Sequence, residues 1–364
     1  MTSHSARDDA RFMAAAVRLS RHHLGLTGTN PSVATLIVKD GFIVGRGITA
    51  RGGRPHAEAQ ALAEAGDNAR GATAYVTLEP CAHHGRTPPC AEALVRSGVS
   101  RVVGAIEDPD DRVAGRGYEI LRQAGIEVVR NVGAADAMSV LGHYWGRAET
   151  KRAQVTLKLA VSADGKIGFA DRPQAAVTGP IAKAQSHIMR AQHDAILIGS
   201  ATARIDNPSL TCRLAGLASR SPVRIVLDTF AMLDPASALV QSALKTPLWL
   251  VTTQPECERA QKLRQHGVRI IAAAGHDGRI ALPELMDDLA ALGITSILVE
   301  GGAAVAQSFL RERLVRRIAL FESPKVLGAD AVTSPIRPDE LQSGFAHVRS
   351  DVLGDDKLHL LEAS

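Results

Sequence analysis

Apolar residues recur at helical spacing over residues 6–24 (Phe12, Ala15, Ala16, Leu19), which predicts an amphipathic helix. A loop follows, and then an apolar run at 33–38. The turn Lys39-Asp40-Gly41 and the return Phe42-Ile43-Val44 make that run half of a β-hairpin. Beyond it the pattern alternates: helix 56–65, strand 72–78, helix 91–97, strand 101–106, a helix near 117–124, strand 126–129 and a helix within 133–150. Strands separated by helices predict a three-layer α/β/α sheet, with sites at strand ends and helix starts. A basic, polar joint (Arg147, Lys151, Arg152) places a domain boundary near residue 150. The two domains expected are 1–150 and 151–364. The second shows strands at 154–160, 194–199, 223–227, 247–252, 268–272 and 296–300, helices at 180–191, 255–266 and 303–313, and a final hairpin at 345–361.

Composition narrows the class. The 364 residues suffice for two cores, and 45% apolar with 22% charged residues is the balance of a water-soluble globular chain. The net charge of +4 is too small to imply nucleic acid unless it is clustered, and 3% aromatic residues poorly supply base-stacking platforms. No apolar run approaches the ~20 residues of a membrane span, and the N-terminus lacks a signal-peptide core. A cytoplasmic protein with neither nucleic acid nor membrane as partner is expected. It is also expected to form a homo-oligomer, a dimer or a tetramer.

Candidate chemistry lies in His56-Ala57-Glu58 and in the run from Pro80-Cys81 to Pro89-Cys90. One histidine and two cysteines give a zinc ion (Zn2+) three ligands and leave a fourth position for water, the arrangement of a catalytic site. Zinc lowers the pKa of bound water to about 7, and Glu58 stands where a base deaminase needs its proton carrier. His56 and Glu58 are expected in the first turn of a helix. Cys90 is expected to open another, where a helix N-terminus favours thiolate. If the zinc were structural instead, His83 or His84 would supply a fourth ligand. Cys212 and Cys257 read as small buried residues. The strand 296–300, Gly301-Gly302 and the helix after it form a candidate anion cradle.

The stretches LTGTNPSVATLIVKDG, HAE and EPCAHHGRTPPC resemble the cytidine-deaminase-like superfamily. Within it they are most similar to the deaminase half of the bifunctional riboflavin-biosynthesis deaminase/reductase family, whose long cysteine loop they share. The resemblance implies that Asn30 contacts the pyrimidine ring. Ala34 stands where the family usually has glycine.

Further on, VTLKLAVSADGKIG, DAILIGSATARIDNPSLTCR, PVRIVLD and ILVEGGAAVAQSFL resemble the reductase half of the same family, in order. That implies a dihydrofolate-reductase-like fold using NADPH. By position, Val161, Thr202, Asp206, Thr229 and the segment Gly302, Ala303, Ala304, Val305, Ala306, Gln307 and Ser308 match cofactor contacts. Gln174, Arg190, Leu210, Arg213 and Glu300 match substrate contacts. Arginine forks suit a phosphate monoester. Lys158 and Asp164 also fall in motif positions. At 174–179 the tryptophan of the family's Ser-x-Trp-Ile-Thr-Gly is replaced by Ala176.

The expected function is therefore that of a bifunctional enzyme. Zinc-dependent deamination of a phosphorylated diaminopyrimidinone would be followed by NADPH-dependent reduction of its ribosyl group. The alternative is a nucleic-acid or nucleoside base deaminase with an accessory nucleotide-binding domain.

Overall fold

The Ser5 hydroxyl accepts the N–H of Asp8 and starts the first helix of the computed structural model, which describes residues 5–84, 88–111, 113–171, 173, 176–336 and 344–363. The chain divides into two units, Met1–Lys151 and Arg152–Ser364.

The first unit runs α1 (Ala6–Ser20), β1 (Ala34–Lys39), β2 (Phe42–Ile48), α2 (Ala57–Ala65), β3 (Thr73–Val76), α3 (Cys90–Ser97), β4 (Arg101–Gly104), α4 (Arg116–Gln123), β5 (Glu127–Val129) and α5 (Ala134–Thr150). Its sheet has the order β2-β1-β3-β4-β5. Strand β1 is antiparallel to both neighbours, whereas β3, β4 and β5 run parallel. Every residue of β3 and β4 is buried, so both faces are covered. Phe12 and Met13 of α1, Ala61 of α2, Leu94 of α3, Leu121 of α4 and Leu141 of α5 join the sheet in one core. Buried Arg101 bonds both carboxylate oxygens of Asp9, at 2.7 and 2.8 Å, and Tyr75 donates to the same carboxylate, tying α1 to the sheet. Two glycines of β2 let α2 lie close. A Cβ at Gly47 would sit 2.0 Å from the Ala57 carbonyl oxygen, and one at Gly45 would sit 2.2 Å from that of Ala61.

The second unit runs β6 (Gln154–Ser162), α6 (Pro180–Gln192), β7 (Ala195–Gly199), α7 (Ser200–Asp206), β8 (Val223–Leu227), α8 (Ala238–Gln241), β9 (Leu248–Thr252), α9 (Glu258–Gln265), β10 (Arg269–Ala272), the short pair β11 (Gly275–His276) and β12 (Arg279–Ile280), α10 (Leu282–Ala291), β13 (Ser296–Val299), α11 (Ala303–Arg311), β14 (Val315–Ser323), β15 (Phe345–Leu353) and β16 (Asp356–Ala363). Nine strands form one sheet in the order β10-β9-β8-β7-β13-β6-β14-β16-β15. All run parallel up to β14; β16 and β15 complete the sheet antiparallel. Alternate residues along a strand enter different cores. Ile196, Ile198, Val226 and Leu250 pack in one cluster, Leu197, Ile225 and Val251 in another. That two-residue period is the pleat of a strand covered on both faces.

Six elements were not expected from the pattern: α7, α8, the pair β11 and β12, α10 and β14. The last opens Val-Arg-Arg, which hides the apolar run behind it, yet it lies between β6 and β16. Arg317 is matched there by Glu362 directly across on β16.

Candidate active sites

His56 is the N-cap of α2, with extended backbone, and Glu58 lies in that helix's first turn. Cys90 is the first residue of α3, following Pro89. Cys81 lies in the loop after β3. The His56 Nδ1 stands 3.4 Å from Cys90 Sγ and 3.7 Å from Cys81 Sγ. Zinc–sulfur and zinc–nitrogen bonds of ordinary length, set at tetrahedral angles, place such atoms about 3.6 Å apart. The three donors therefore fit zinc, and among the described residues they form the cluster that could hold a metal ion. His84 is exposed and faces Glu92 at 3.5 Å, outside this cluster.

Electrostatics departs from expectation in one respect. The Cys90 backbone N–H, the free donor at the start of α3, points at the Cys81 sulfur, 3.3 Å away. A hydrogen bond from the Cys90 thiol, with help from His56 and that N–H, lowers Cys81 to about 4. Cys90 itself is pushed up, by the neighbouring Cys81 sulfur first and then by burial. The N–H that opens α3 thus serves the Cys81 sulfur. His56 is raised by its bond to Cys81. Glu58 is 4% exposed, and burial, with the Cys81 charge second, pushes it up to about 7. It shares a hydrogen bond with the Cys90 sulfur.

A cavity of about 530 Å³ opens on this cluster, with Asn30, Glu58, Asp108, Tyr144 and Arg147 in its wall. His83 also lines it. Ala34 does not; it is buried in β1, where its N–H bonds the Thr77 hydroxyl. One wall depends on a residue that the sequence did not single out. The Glu79 carboxylate is 2% exposed and takes four backbone N–H groups, two on each oxygen: Asp108 and Gly115 on Oε2, Gly117 and Tyr118 on Oε1, at 2.8–3.2 Å. Burial pushes Glu79 up, and these four bonds oppose it. Asp108 is raised to about 6, chiefly by burial, and accepts the Tyr144 hydroxyl at 3.0 Å. Neither contact shows in the sequence, because the partners are main-chain groups or lie 36 residues apart.

In the second unit a cavity of about 250 Å³ brings together Thr202, Asp206, Arg190, Leu210 and Glu300. The Arg190 fork is already engaged: Nε and Nη2 each donate to Glu300 at 2.8 Å. Burial drives Glu300 upward, but Arg190 and Lys158 outweigh it and hold the carboxyl below its ordinary value. Lys158 is lowered by burial, and its Nζ lies 5.4 Å from the centre of the Phe321 ring.

Gly302 is the N-cap of α11, and a Cβ there would sit 3.5 Å from the Thr202 hydroxyl. A Cβ at Gly301 would collide with Val305 at 2.7 Å, so that glycine serves packing. Within α11, Ala304 and Gln307 are exposed, Ala303, Val305 and Ser308 are half-buried, and Ala306 is buried in the core. Several matched positions do not line this cavity. Val161 is buried within β6. The Thr229 carbonyl ties the end of β8 to Thr252 and Thr253. Arg213 is exposed, with its backbone N–H on His187. Gln174 lies outside the described residues, and Ala176 is exposed. Asp164 pins a loop by accepting the N–H groups of Leu327 and Gly328. Cys212 is buried, and Cys257 caps α9 through its sulfur, a role that its expected reading as a core residue did not include.

The family model "RibD C-terminal domain" matches residues 153–357, and "Cytidine and deoxycytidylate deaminase zinc-binding region" matches 6–106. The riboflavin biosynthesis protein RibD of Escherichia coli (strain K12) is 40% identical over 334 residues, covering 89% of each chain. That of Aquifex aeolicus is 39% identical over 320 residues, 88% of each. Among solved structures, Acinetobacter baumannii RibD superposes with a TM-score of 0.86 at 32% identity, over 99% of this chain and 100% of that one. A Thermotoga maritima diaminohydroxyphosphoribosylaminopyrimidine deaminase/5-amino-6-(5-phosphoribosylamino)uracil reductase gives 0.87 at 30% identity, with the same coverage. With a triad of candidate metal ligands in the first unit, a largely parallel sheet in the second and likeness along nearly its whole length, the chain belongs to the RibD family of riboflavin biosynthesis proteins.

Proposed function

We propose that the chain performs two successive reactions on one phosphorylated pyrimidine. Residues 1–150 hydrolytically deaminate 2,5-diamino-6-(5-phosphoribosylamino)pyrimidin-4-one, and residues 151–364 reduce the ribosyl group of the product to ribityl with NADPH. The observation that carries this reading is the triad His56, Cys81 and Cys90 with the buried Glu58 carboxyl against it.

Bound at the triad, zinc supplies water that ionises near neutral pH. Glu58, buried in the first turn of α2 two residues from His56, can take a proton and release it to the ring and the departing amine. Asn30 and Asp108 offer the ring an amide and a carboxyl from the same wall. In the second unit, NADPH supplies the hydride when bound. Thr202 and Asp206 would hold its nicotinamide side, and Gly302 with the N–H groups that open α11 would hold its phosphates. Arg190, locked to Glu300, would then present Glu300 and Leu210 to the sugar rather than offer a free fork to phosphate.

Glu58→Gln tests the reading. Ammonia release should fall by at least about a hundredfold, zinc should stay near one per chain, and NADPH oxidation on the deaminated compound should continue. Ammonia release at the wild-type rate would refute the deaminase mechanism. We also propose a homo-oligomer, supported by the edge strand β15, where Val348 is 50% and Val352 77% exposed; light scattering checks it. No described helix is long and apolar enough to cross a membrane. Four unpaired cysteines suit the reducing cytoplasm, where we place the reactions.

A further inference from the structure

We propose that the last turns of α5 bind the phosphate of the deaminase substrate, with Arg147 as the principal ligand. This rests on the deaminase reading above and names the part of the site that holds the far end of the molecule. Tyr144, Arg147, Ala148 and Lys151 all line the 530 Å³ cavity. Their spacing of three, four and seven residues is one face of a helix, so α5 and the residue that caps it present a stripe to the same space as the metal triad.

The four side chains are not equivalent. Tyr144 is committed to Asp108, and Ala148 has nothing to donate. The Lys151 ammonium turns back to the Ala148 carbonyl at 2.7 Å, the usual reward for a cation at a helix C-terminus. Arg147 does not do this. Its Nη2 reaches across to the carbonyl of Thr29 at 3.0 Å, beside Asn30. Its Nε is buried without a hydrogen-bond partner among the described residues. One hydrogen bond for five donors leaves the guanidinium under-used. A phosphate monoester is the group whose oxygens match that fork two at a time. Arg54 adds a second guanidinium to the wall. Asp108, Asp110 and Asp111 line the cavity too and oppose an anion. They come from one loop, whereas the cations come from α5 and the segment before α2. A ligand with amino groups at one end and a dianion at the other calls for both kinds of wall.

The test compares ammonia release by wild type, Arg147→Met and Arg147→Lys on the phosphorylated substrate and on the same compound without its phosphate, with zinc content measured throughout. On the phosphorylated compound, Arg147→Met should lose at least about tenfold in kcat/KM, mainly through KM, and Arg147→Lys should recover part of it. On the phosphate-free compound the loss in Arg147→Met should be at least about fivefold smaller than on the phosphorylated one. Ribose 5-phosphate should inhibit wild-type ammonia release and lose that effect in Arg147→Met. Equal losses on both compounds would mean that Arg147 only orders the Thr29–Asn30 loop, and would overturn the proposal, as would no loss on either. A wild-type enzyme that releases no ammonia from the phosphorylated compound would instead remove the deaminase reading, and this proposal with it.

Discussion

Gly47→Ala places a single methyl group where β2 meets α2, and its effect can be worked from one distance. The added Cβ would lie 2.0 Å from the Ala57 carbonyl oxygen and 2.7 Å from the Ala61 nitrogen, where ordinary contact begins near 3.4 Å. Helix and strand must separate by about 1.4 Å at that point. Ala57 stands between His56 and Glu58, so the displacement falls on the proposed metal ligand and the proposed proton carrier together. Metal sites tolerate shifts of about 0.2 Å in ligand distance, and a misplacement of about 1 Å can cost a hundredfold in rate. The variant should therefore bind zinc at least about tenfold more weakly and release ammonia on the order of a hundredfold more slowly. Overpacking should also cost about 1–3 kcal/mol in stability. NADPH oxidation in the other unit should be unchanged. Gly45→Ala is the matched control. Its Cβ would meet the Ala61 carbonyl oxygen at 2.2 Å, one turn farther from His56. It should cost similar stability and spare zinc. Chelator competition, ammonia assays and denaturant melts measure all of this. If Gly47→Ala kept wild-type zinc affinity and rate, the edge strand β2 would have yielded in place of α2, and the reasoning would be wrong.

Three further outcomes are expected. Removing metal with a chelator should stop ammonia release while NADPH oxidation on the deaminated compound persists; loss of both would contradict separate sites. His193 is buried, with Nδ1 2.7 Å from the Met189 carbonyl and Nε2 3.0 Å from the Thr156 hydroxyl, and burial pushes it down to about 4 from 6.5. Its contribution to stability is complete above pH 6.5 and drains away as pH falls towards 4, by about 3 kcal/mol at most, because the unfolded chain takes up the proton first. Urea unfolding of His193→Asn should accordingly show a weaker acid dependence than wild type, and identical slopes would exclude this origin. Arg190→Met should cost about 3–5 kcal/mol by leaving Glu300 buried without its partner, and adding Glu300→Gln should restore much of that, as a double-mutant cycle would show.

The convergence of His56, Cys81 and Cys90 was legible because candidate metal chemistry is carried by residue types at fixed spacing, and a proline before Cys90 marks a helix start. The alternation of strands and helices was legible for the same reason: burial on both faces writes itself as apolar runs. What sequence could not show is pairing. Arg190 reads as a fork for phosphate until Glu300, 110 residues later, is found on it. Cys90 reads as the thiolate because it opens a helix, yet its N–H serves the sulfur of Cys81. Arg147 reads as part of a basic joint, and only the turn of α5 puts it in a cavity wall. Strand β14 escaped because two arginines precede its apolar run, and one of them is matched across the sheet by Glu362.

The grip of Glu79 has an evolutionary consequence. All four of the hydrogen bonds described for it go to main-chain N–H groups between Asp108 and Tyr118, so the course of that loop is set without reference to most of its side chains. Asp110, Asp111 and Val113 project into the cavity from a backbone that stays put when they are exchanged. Such a rim can be retuned to a different amino-bearing ring one residue at a time, while the metal end beside it is left untouched.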